Sequence, residues 1–381
     1  MSKARDLANL ASDATNVATD AELAALDVGR IVPTDSNISV PGAPTSVSGT
    51  VGDALSSVSF VAPTSNGGST ILSYTVISSP GNIKKSGSSS PIVITGLTNS
   101  TAYTFTVKAH NIAGSSTAST ASSSVTPVAS VDVESLVIAG GGGAGANRSG
   151  GGGAGGLVER AATGLTPGTN YTVTVGAGGA AANVTNDVGN NGSNSVFDTI
   201  TALGGGFSGT AGGSGGGGFG QGTNRAPGAA NQSTSGGGTG FGFAGGQANA
   251  GSGSGGGGAG GVGGNGSGGA GTAGGGTAGA GRANSITGTS VTYATGGRGG
   301  HSDDSGTPAN GTANTGNGGA GGSGQTISFI GASGGSGVVI LKYPDTKTIT
   351  IGAGLTGTES SASGGYKRAT ITAGTGNVSW A

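Results

Sequence analysis

Catalysis needs nucleophiles, acids, bases or metal ligands held close together, and this 381-residue chain offers few of them. It has no cysteine and two histidines, His110 and His301. Between Asp198 and Asp303 there is no Asp, Glu or Cys, which removes carboxylate pairs and most metal clusters from that stretch. The densest polar run, His301-Ser302-Asp303-Asp304, contains donor types that a divalent cation takes. Adjacent residues in a glycine-flanked loop read more simply as a solvated turn, so no metal site is assigned. Two scattered histidines do not make a Ser/His/Asp triad. A phosphate-binding glycine loop needs a strand before it, a helix after it, and Lys followed by Ser or Thr, and none of the glycine tracts has these. The expectation is a protein without catalytic residues or cofactors, not an enzyme.

Surface recognition is the chemistry that remains. Phe207, Phe219, Phe241, Phe243 and Tyr293 interleave with Asn224, Arg225, Gln232, Gln247, Asn249, Arg282 and Arg298. Aromatic faces beside arginines and amides suit sugars and protein edges. A structural reading stands beside this one, in which the phenylalanines cap the glycine segments or sit among them. Trp380, the only tryptophan, lies one residue from the end. It reads as a hydrophobic anchor on a neighbouring strand or subunit, or else as a platform on which a sugar stacks.

The elements that position these residues must be built with unusual material, because 91 of the 381 residues are glycine, against an ordinary share of roughly 7%. Aromatic residues make up 4% and charged residues 8%, so one large conventional core is excluded. The net charge of −1 gives no footprint for a phosphate backbone, and nucleic acid is not an expected partner. Without cysteine there is no disulfide scaffold. Residues 1–26 lack both a signal-type apolar stretch and a membrane-spanning run, so export by a recognisable signal is not expected.

Composition divides the chain into four regions: 1–40, 41–128, 133–343 and 344–381. In the first, Leu7, Leu10, Ala14, Val17, Ala21 and Ala24 recur at alternating steps of three and four, and Thr19-Asp20-Ala21-Glu22 reads as a capping box. This predicts a short helical segment for attachment or oligomerisation, too short to stand alone. In the second, Val58-Phe60, Ile71-Val76, Ile92-Ile94 and Tyr103-Val107 place apolar residues two apart between turn clusters, the pattern of a β-sandwich. In the third, 74 of the 203 residues from Ile138 to Ile340 are glycine, without the strict triplet or the proline of collagen. Ordering such a chain calls for polyglycine II rods, three residues per turn, whose outward amides and carbonyls bond to neighbouring rods. Residues 150–153, 215–218, 236–238, 255–258 and 274–276 are the expected rods, with strands over 135–141, 168–176 and 335–343 framing them. The fourth region reads as one or two terminal β-hairpins. The expected fold is thus mainly β: a β-sandwich, then a glycine-rich β/polyglycine II bundle, with a short N-terminal helical segment.

Two resemblances sharpen this. The run from Gly96 through Tyr103 to Gly114 resembles the E–F corner and F strand of a fibronectin type III module, with Pro41-Gly42-Ala43-Pro44 like the start of strand A and Leu72-Ser73-Tyr74-Thr75-Val76 like strand C. It implies that Tyr103 is a corner tyrosine bonded back to the preceding loop. Phe60 stands where that family usually has Trp. Gly164-Leu165-Thr166-Pro167-Gly168-Thr169-Asn170-Tyr171 repeats the logic of that corner around Tyr171. The opening LVIAGGGGAG, the middle YTVTVGAGG, the GSNSVF run and the closing GGSGVVILKY resemble, in order, the glycine-rich domain of bacteriophage tail-fibre and fibre-tip proteins.

That second resemblance implies a virion structural protein, assembled in the host cytoplasm, that contacts a host surface glycan or outer-membrane protein. It implies receptor specificity in loops between glycine motifs, by position 219–232, 241–249 and 298–310. The candidate residues there are Phe219, Asn224, Arg225, Gln232, Phe241, Phe243, Gln247, Arg298, His301 and Asp303. Residues 1–40 would dock to other virion proteins, and a homotrimer is expected. The alternatives are a capsid decoration fibre or a self-assembling extracellular filament or matrix protein. An ice-binding surface is a further reading, opposed by the irregular insertions at Asn224-Arg225-Ala226-Pro227 and His301-Ser302-Asp303-Asp304.

Overall fold

The computed structural model describes residues 38–182, 189–221, 226–267, 274–302, 307–324 and 330–381. The N-terminal helical repeat lies outside them. The chain divides into two compact units at Thr126/Pro127, with residues 52–54 grouped with the second.

The first unit carries β1 (Thr45–Val51), β2 (Leu55–Val61), β3 (Ser73–Ser79), β4 (Lys84–Gly87), β5 (Ile92–Thr95), β6 (Thr104–Asn111) and β7 (Gly114–Ser115). They form two antiparallel sheets, β1-β2-β5 and β4-β3-β6-β7. Alternate residues point inward, so Val58, Phe60, Tyr74, Val76, Ile92, Ile94, Phe105 and Val107 make one buried core. Phe60 packs on Tyr74 with ring centroids 4.8 Å apart. The Tyr103 hydroxyl accepts the Thr98 N–H at 3.0 Å, closing the corner. After β7 the chain pairs with β6 in an unusual register: the N–H groups of Ser116, Ser119 and Ser122 donate to the carbonyls of Ala109, Val107 and Phe105, three residues against two. The mismatch is absorbed by the same three serines. Their hydroxyls accept the N–H groups of Ala109, Val107 and Phe105 at 2.9–3.0 Å, so each serine satisfies both polar groups of its partner.

The second unit carries β8 (Val131–Ile138), β9 (Leu157–Leu165), β10 (Tyr171–Thr174), β11 (Ser195–Phe197), β12 (Ile200–Ala202), β13 (Thr239–Phe241), β14 (Arg282–Asn284), β15 (Val291–Tyr293), β16 (Val338–Pro344), β17 (Ile349–Ile351), β18 (Leu355–Glu359) and β19 (Tyr366–Trp380). Ten of them form one sheet in the order β12-β11-β10-β19-β16-β8-β9-β13, with β17 and β18 also on β19, while β14 and β15 make a separate hairpin. One face of this sheet buries Val137, Val158, Phe197, Ile200, Leu341, Tyr343, Ile371 and Trp380. The other buries Leu136, Ile138, Leu157, Val338 and Ile340 beneath Ile286 and Tyr293 of the β14–β15 hairpin region. Residues 344–381, expected as a separate terminal segment, belong to this unit, because β19 is long enough to bond β16, β18, β10 and β17 in turn. The Tyr171 hydroxyl accepts the Thr166 N–H at 2.8 Å, the same five-residue closure as at Tyr103. The fifth position of both corner octapeptides has positive φ, 64° at Ser100 and 73° at Gly168.

The rods are continuations of the strands. Where LVI gives way to AGGGG after β8, the hydrogen-bond period changes from two residues to three. Gly140, Gly141 and Gly142 donate to the carbonyls of Ser193, Gly335 and Gly153, which lie on three different neighbours. Gly143 then returns to the first neighbour at Asn190 and Ala144 to the second at Ala332. The same threefold sequence runs from Gly151 to Gly156, against Ser254, Gly319, Gly206, Gly257, Gly316 and Leu203 in turn. Gly253, Gly256 and Ala259 all donate to one antiparallel rod, at Gly300, Gly297 and Ala294. This is polyglycine II packing, and only glycine permits it at this spacing: a Cβ on Gly152 would lie 2.1 Å from the Gly142 carbonyl oxygen, and one on Gly256 2.1 Å from that of Gly152. Residues 150–153, 215–218, 255–258 and 274–276 are rods as expected. Residues 236–238 are not. Gly236 and Gly237 have φ of 53° and 76°, and Ser235 and Gly238 bond each other across a tight turn that feeds β13.

Gly152→Ala should therefore abolish cooperative unfolding of the second unit or lower its midpoint sharply, as overpacking by more than about 1–3 kcal/mol requires. Ala229→Gly, on an exposed rod position, should leave it nearly unchanged. Thermal unfolding of the full chain, followed by circular dichroism and calorimetry, separates the two outcomes.

Candidate functional site

Three-residue periodicity decides which rod side chains reach solvent. Ala177 and Ala180, Ala226 and Ala229, Val262 and Asn265, Thr277 and Ala280 are exposed pairs three apart, while the glycines between them are mostly buried or half-buried. The rods inside the bundle, such as 150–156 and 253–258, are buried throughout and hold only Gly, Ser and Ala. Recognition chemistry is thereby confined to outward third positions and to rod ends.

Buried hydroxyls and rim amides complete the lattice. The Ser208 hydroxyl accepts the Gly145 N–H at 3.0 Å and donates to the Gly150 carbonyl at 2.6 Å, bridging where direct contact is lost. Ser195 does the same between Gly176 and Ile138. At the rim, asparagine carboxamide oxygens accept backbone N–H groups: Asn194 from Gly204, Asn191 from Phe207, Asn265 from Gln247 and Asn317 from Thr295, all at 2.8–2.9 Å. These amides are engaged in the fold and are poor candidates for ligand contact.

The residues singled out from sequence fall into distinct groups. Asn224, Arg225 and Asp303 lie outside the described residues. Gln232 is occupied structurally: its Oε1 accepts the Leu203 N–H at 2.8 Å and its Nε2 donates to the Ser233 carbonyl at 2.8 Å, sealing the β12 edge. His301 is 1% exposed, which removes its ring from the surface. Phe241 packs against the core beneath β14–β15, and the Arg282 guanidinium lies 3.6 Å from its ring centroid. Phe219 is half-buried beside the turn at Gly209. Trp380 is 2% exposed and sits between Tyr171 and Tyr343, with ring centroids at 5.9 and 5.8 Å. It is a core anchor, and the sugar-platform reading is withdrawn. Among the described residues, no group of three His, Cys, Asp or Glu is placed to hold a metal.

Phe243, Gln247 and Arg298 remain exposed. Phe243 is 39% exposed, and the rod beside it brings up Val262, 62% exposed. The two rods are joined by Gly263 N–H to Ala244 carbonyl and Gly266 N–H to Gln247 carbonyl, which sets Phe243 next to Val262 and Gln247 next to Asn265. An apolar pair with the Gln247 side chain beside it thus stands on a hydrogen-bonded backbone, the Asn265 amide being held by the Gln247 N–H. Val262 was missed in the sequence because one valine in a glycine tract has no neighbour to signal with; the three-residue step to Asn265 was the available clue.

Arg282 ties β14 to β9. Its Nε and Nη2 donate to Glu159 at 2.8 and 2.9 Å, and the Asn284 amide donates to the same carboxylate at 3.0 Å. Burial alone would raise the Glu159 pKa, but the Arg282 and Asn284 hydrogen bonds and the Arg282 charge outweigh it and hold the group below the ordinary carboxylate value. A lowered folded-state pKa stabilises above the unfolded value, near 4.3, and that contribution fades as pH falls through the folded one. The stability difference between wild type and Glu159→Gln should be constant from about pH 7 to 5 and shrink below about pH 4, read from thermal midpoints across pH.

Residues 115–344 match the glycine-rich domain family and residues 42–125 the fibronectin type III domain. Similar solved structures include titin domains at 25% identity and a TM-score of 0.22, covering 23% of this chain and 32% of that one. Titin kinase with its flanking domains is 26% identical at 0.22, covering 23% and 17%, and the FN1–FN3 domains of chicken CNTN1 are 18% identical at 0.22, covering 36% and 48%. The chain spans less than half the length of each. No curated protein matches.

Proposed function

The chain belongs to the glycine-rich domain family, and from that premise we propose that it is a structural virion protein of a bacteriophage, a tail-fibre or fibre-tip adhesin that contacts the host surface. The observation that carries this reading is the division of labour within the rods. Among the described residues, most inward rod positions are taken up by backbone packing, while the outward third positions display side chains over a hydrogen-bonded lattice. Phe243 and Val262, with Gln247 beside them, are the contact so displayed. Rigid aromatic and apolar anchors beside amides are the composition of recognition surfaces. The ordered resemblance of the LVIAGGGGAG, YTVTVGAGG, GSNSVF and GGSGVVILKY runs to tail-fibre domains supplies the virion context.

In this reading the fibronectin type III unit is a spacer, and residues 1–40 attach to other virion proteins, with their three–four apolar spacing as the seam of a homotrimer. The receptor is a host glycan or outer-membrane protein. Self-assembly into filaments through rod faces is disfavoured by the outward side chains, since each Cβ on an outer rod holds off the next backbone.

Gold-labelled antibody against residues 133–343 should decorate the tips of fibres on purified particles. Label spread over a capsid or along filaments would replace the adhesin by the decoration or filament reading. The folded double variant Phe243→Ser, Val262→Ser should lose about tenfold or more in adhesion to host cells, the scale of an interface anchor. Unchanged adhesion would remove this pair from the contact.

A further inference from the structure

One side of β19 is covered by a single edge segment, residues 349–359, made of β17, a turn at Gly352-Ala353-Gly354 and β18. Thr348 exchanges backbone bonds with Ala381, the Gly352 N–H donates to Asn377 and the Ser360 N–H to Arg368, so even-numbered residues turn their backbone groups toward β19. By the alternation of an antiparallel ladder, Ile349, Ile351, Gly357 and Glu359 turn theirs outward. Among the described residues these outward groups meet no backbone partner. The bulge in this ladder lies on β19, which has Thr372 to spare between the partners of Thr356 and Gly357, so the outer edge of β18 stays regular. Natural edges are guarded by lysine, proline or bulges, yet no charged residue or proline lies between Lys347 and Glu359. Ile351 and Leu355 pack on the core but stay half-exposed at its rim, and Thr350, Thr356 and Thr358 are exposed. Glu359 is fixed at the end of the edge, where it accepts the Tyr343 hydroxyl at 2.5 Å and lies 3.5 Å from Lys367.

The segment reads nearly the same in both directions. About Ala353, Gly352 matches Gly354, Ile351 matches Leu355, Thr350 matches Thr356 and Thr348 matches Thr358, while Lys347 falls opposite Glu359 with the opposite charge. Ile349 against Gly357 is the one pair that differs in size. The centre of this palindrome is also the turn between the two arms, where Gly354 has a φ of 89°. A strand that turns can lie along a copy of itself only with the two-fold axis at the turn, and the sequence puts its own centre there.

We propose that this edge pairs antiparallel with the same edge of a second copy of the chain, extending the sheet across a two-fold axis at Ala353. The outward groups of Ile349 then meet those of Gly357 in the second copy, and Ile351 meets Leu355 to close the open rim of the core. Thr350 and Thr356 stand opposite on the outer face as a β-branched pair. The pairing does not depend on the virion reading, and a chain that also trimerises through residues 1–40 closes with dihedral symmetry.

Sedimentation of the full chain tests the pairing. An even number of chains per particle is expected. The double variant Thr350→Lys, Thr356→Lys, at two exposed positions, should halve the particle mass with the circular dichroism unchanged, because like charges then stand opposite each other. An odd number of chains, or a mass that the double variant leaves unmoved, overturns the proposal; a single chain in solution would leave the edge to a strand of another protein. The register is read from cysteines introduced into a chain that has none. Ala353→Cys, on the axis, should form a disulfide between copies by itself. Thr350→Cys should not, since its own counterpart lies roughly 20 Å along the edge, but it should cross-link when mixed with Thr356→Cys. Cross-linking of Thr350→Cys alone, or none in Ala353→Cys, overturns the two-fold pairing.

Discussion

A single β-carbon is what the interior of the glycine-rich unit cannot contain. At most interior rod positions the space that a side chain would fill is already occupied, at about 2 Å, by the carbonyl of a neighbouring rod, as at Gly152 against Gly142 and Gly297 against Gly319. This exclusion explains the composition and the energetics together. Glycine loses more conformational entropy on folding than any other residue. Here the loss is offset by backbone hydrogen bonds that run in three directions from each rod, so that the main chain takes over the packing that side chains do elsewhere. Ser208 is admitted inside because its hydroxyl replaces a direct bond, and Ala154 because its methyl meets the core of Leu136, Ile138 and Leu157.

Such a lattice has no hydrophobic core of its own, and the strands supply one. β8, β9, β10 and β16 each run without interruption into or out of a rod, so the apolar clusters on both faces of the sheet fix the spacing and direction from which the rods depart. Trp380 closes the sheet side through Tyr171 and Tyr343, and β19 binds the chain terminus into the middle of the sheet. The Arg282–Glu159 pair and its stack on Phe241 then hold the β14–β15 hairpin over the second face.

Much of this was legible in the residues. The alternation of Val58, Phe60, Tyr74 and Val76 announces a sandwich, and the shared Gly-Leu-Thr…Thr-x-Tyr octapeptides announce two corners, each a local arrangement with a local signature. Four of the five expected rods were readable as glycine runs. Residues 236–238 were not distinguishable from them, because positive φ and extended polyglycine are open to the same residue. Rods 139–145 and 296–300 were not among those expected: the first is buried throughout and continues β8 without a break, and the second is interrupted in sequence by the exposed Arg298. The site was the least legible part. Whether Gln232, His301 and Phe241 face solvent depends on rods and strands distant in sequence, and a side-chain type carries no record of that.

The confinement of side chains to the outward third positions separates two properties that most folds entangle. In an ordinary domain, altering the surface disturbs positions that also carry packing, so diversification is slowed by lost stability. Here Gln247, Val262 and Thr277 are exposed outward positions whose Cβ groups contribute little to the lattice, because the backbone beneath them is already engaged. Drift at such sites is nearly neutral for folding. The glycines beneath them admit no such change, so a new surface can be written over a scaffold that the steric rule keeps fixed.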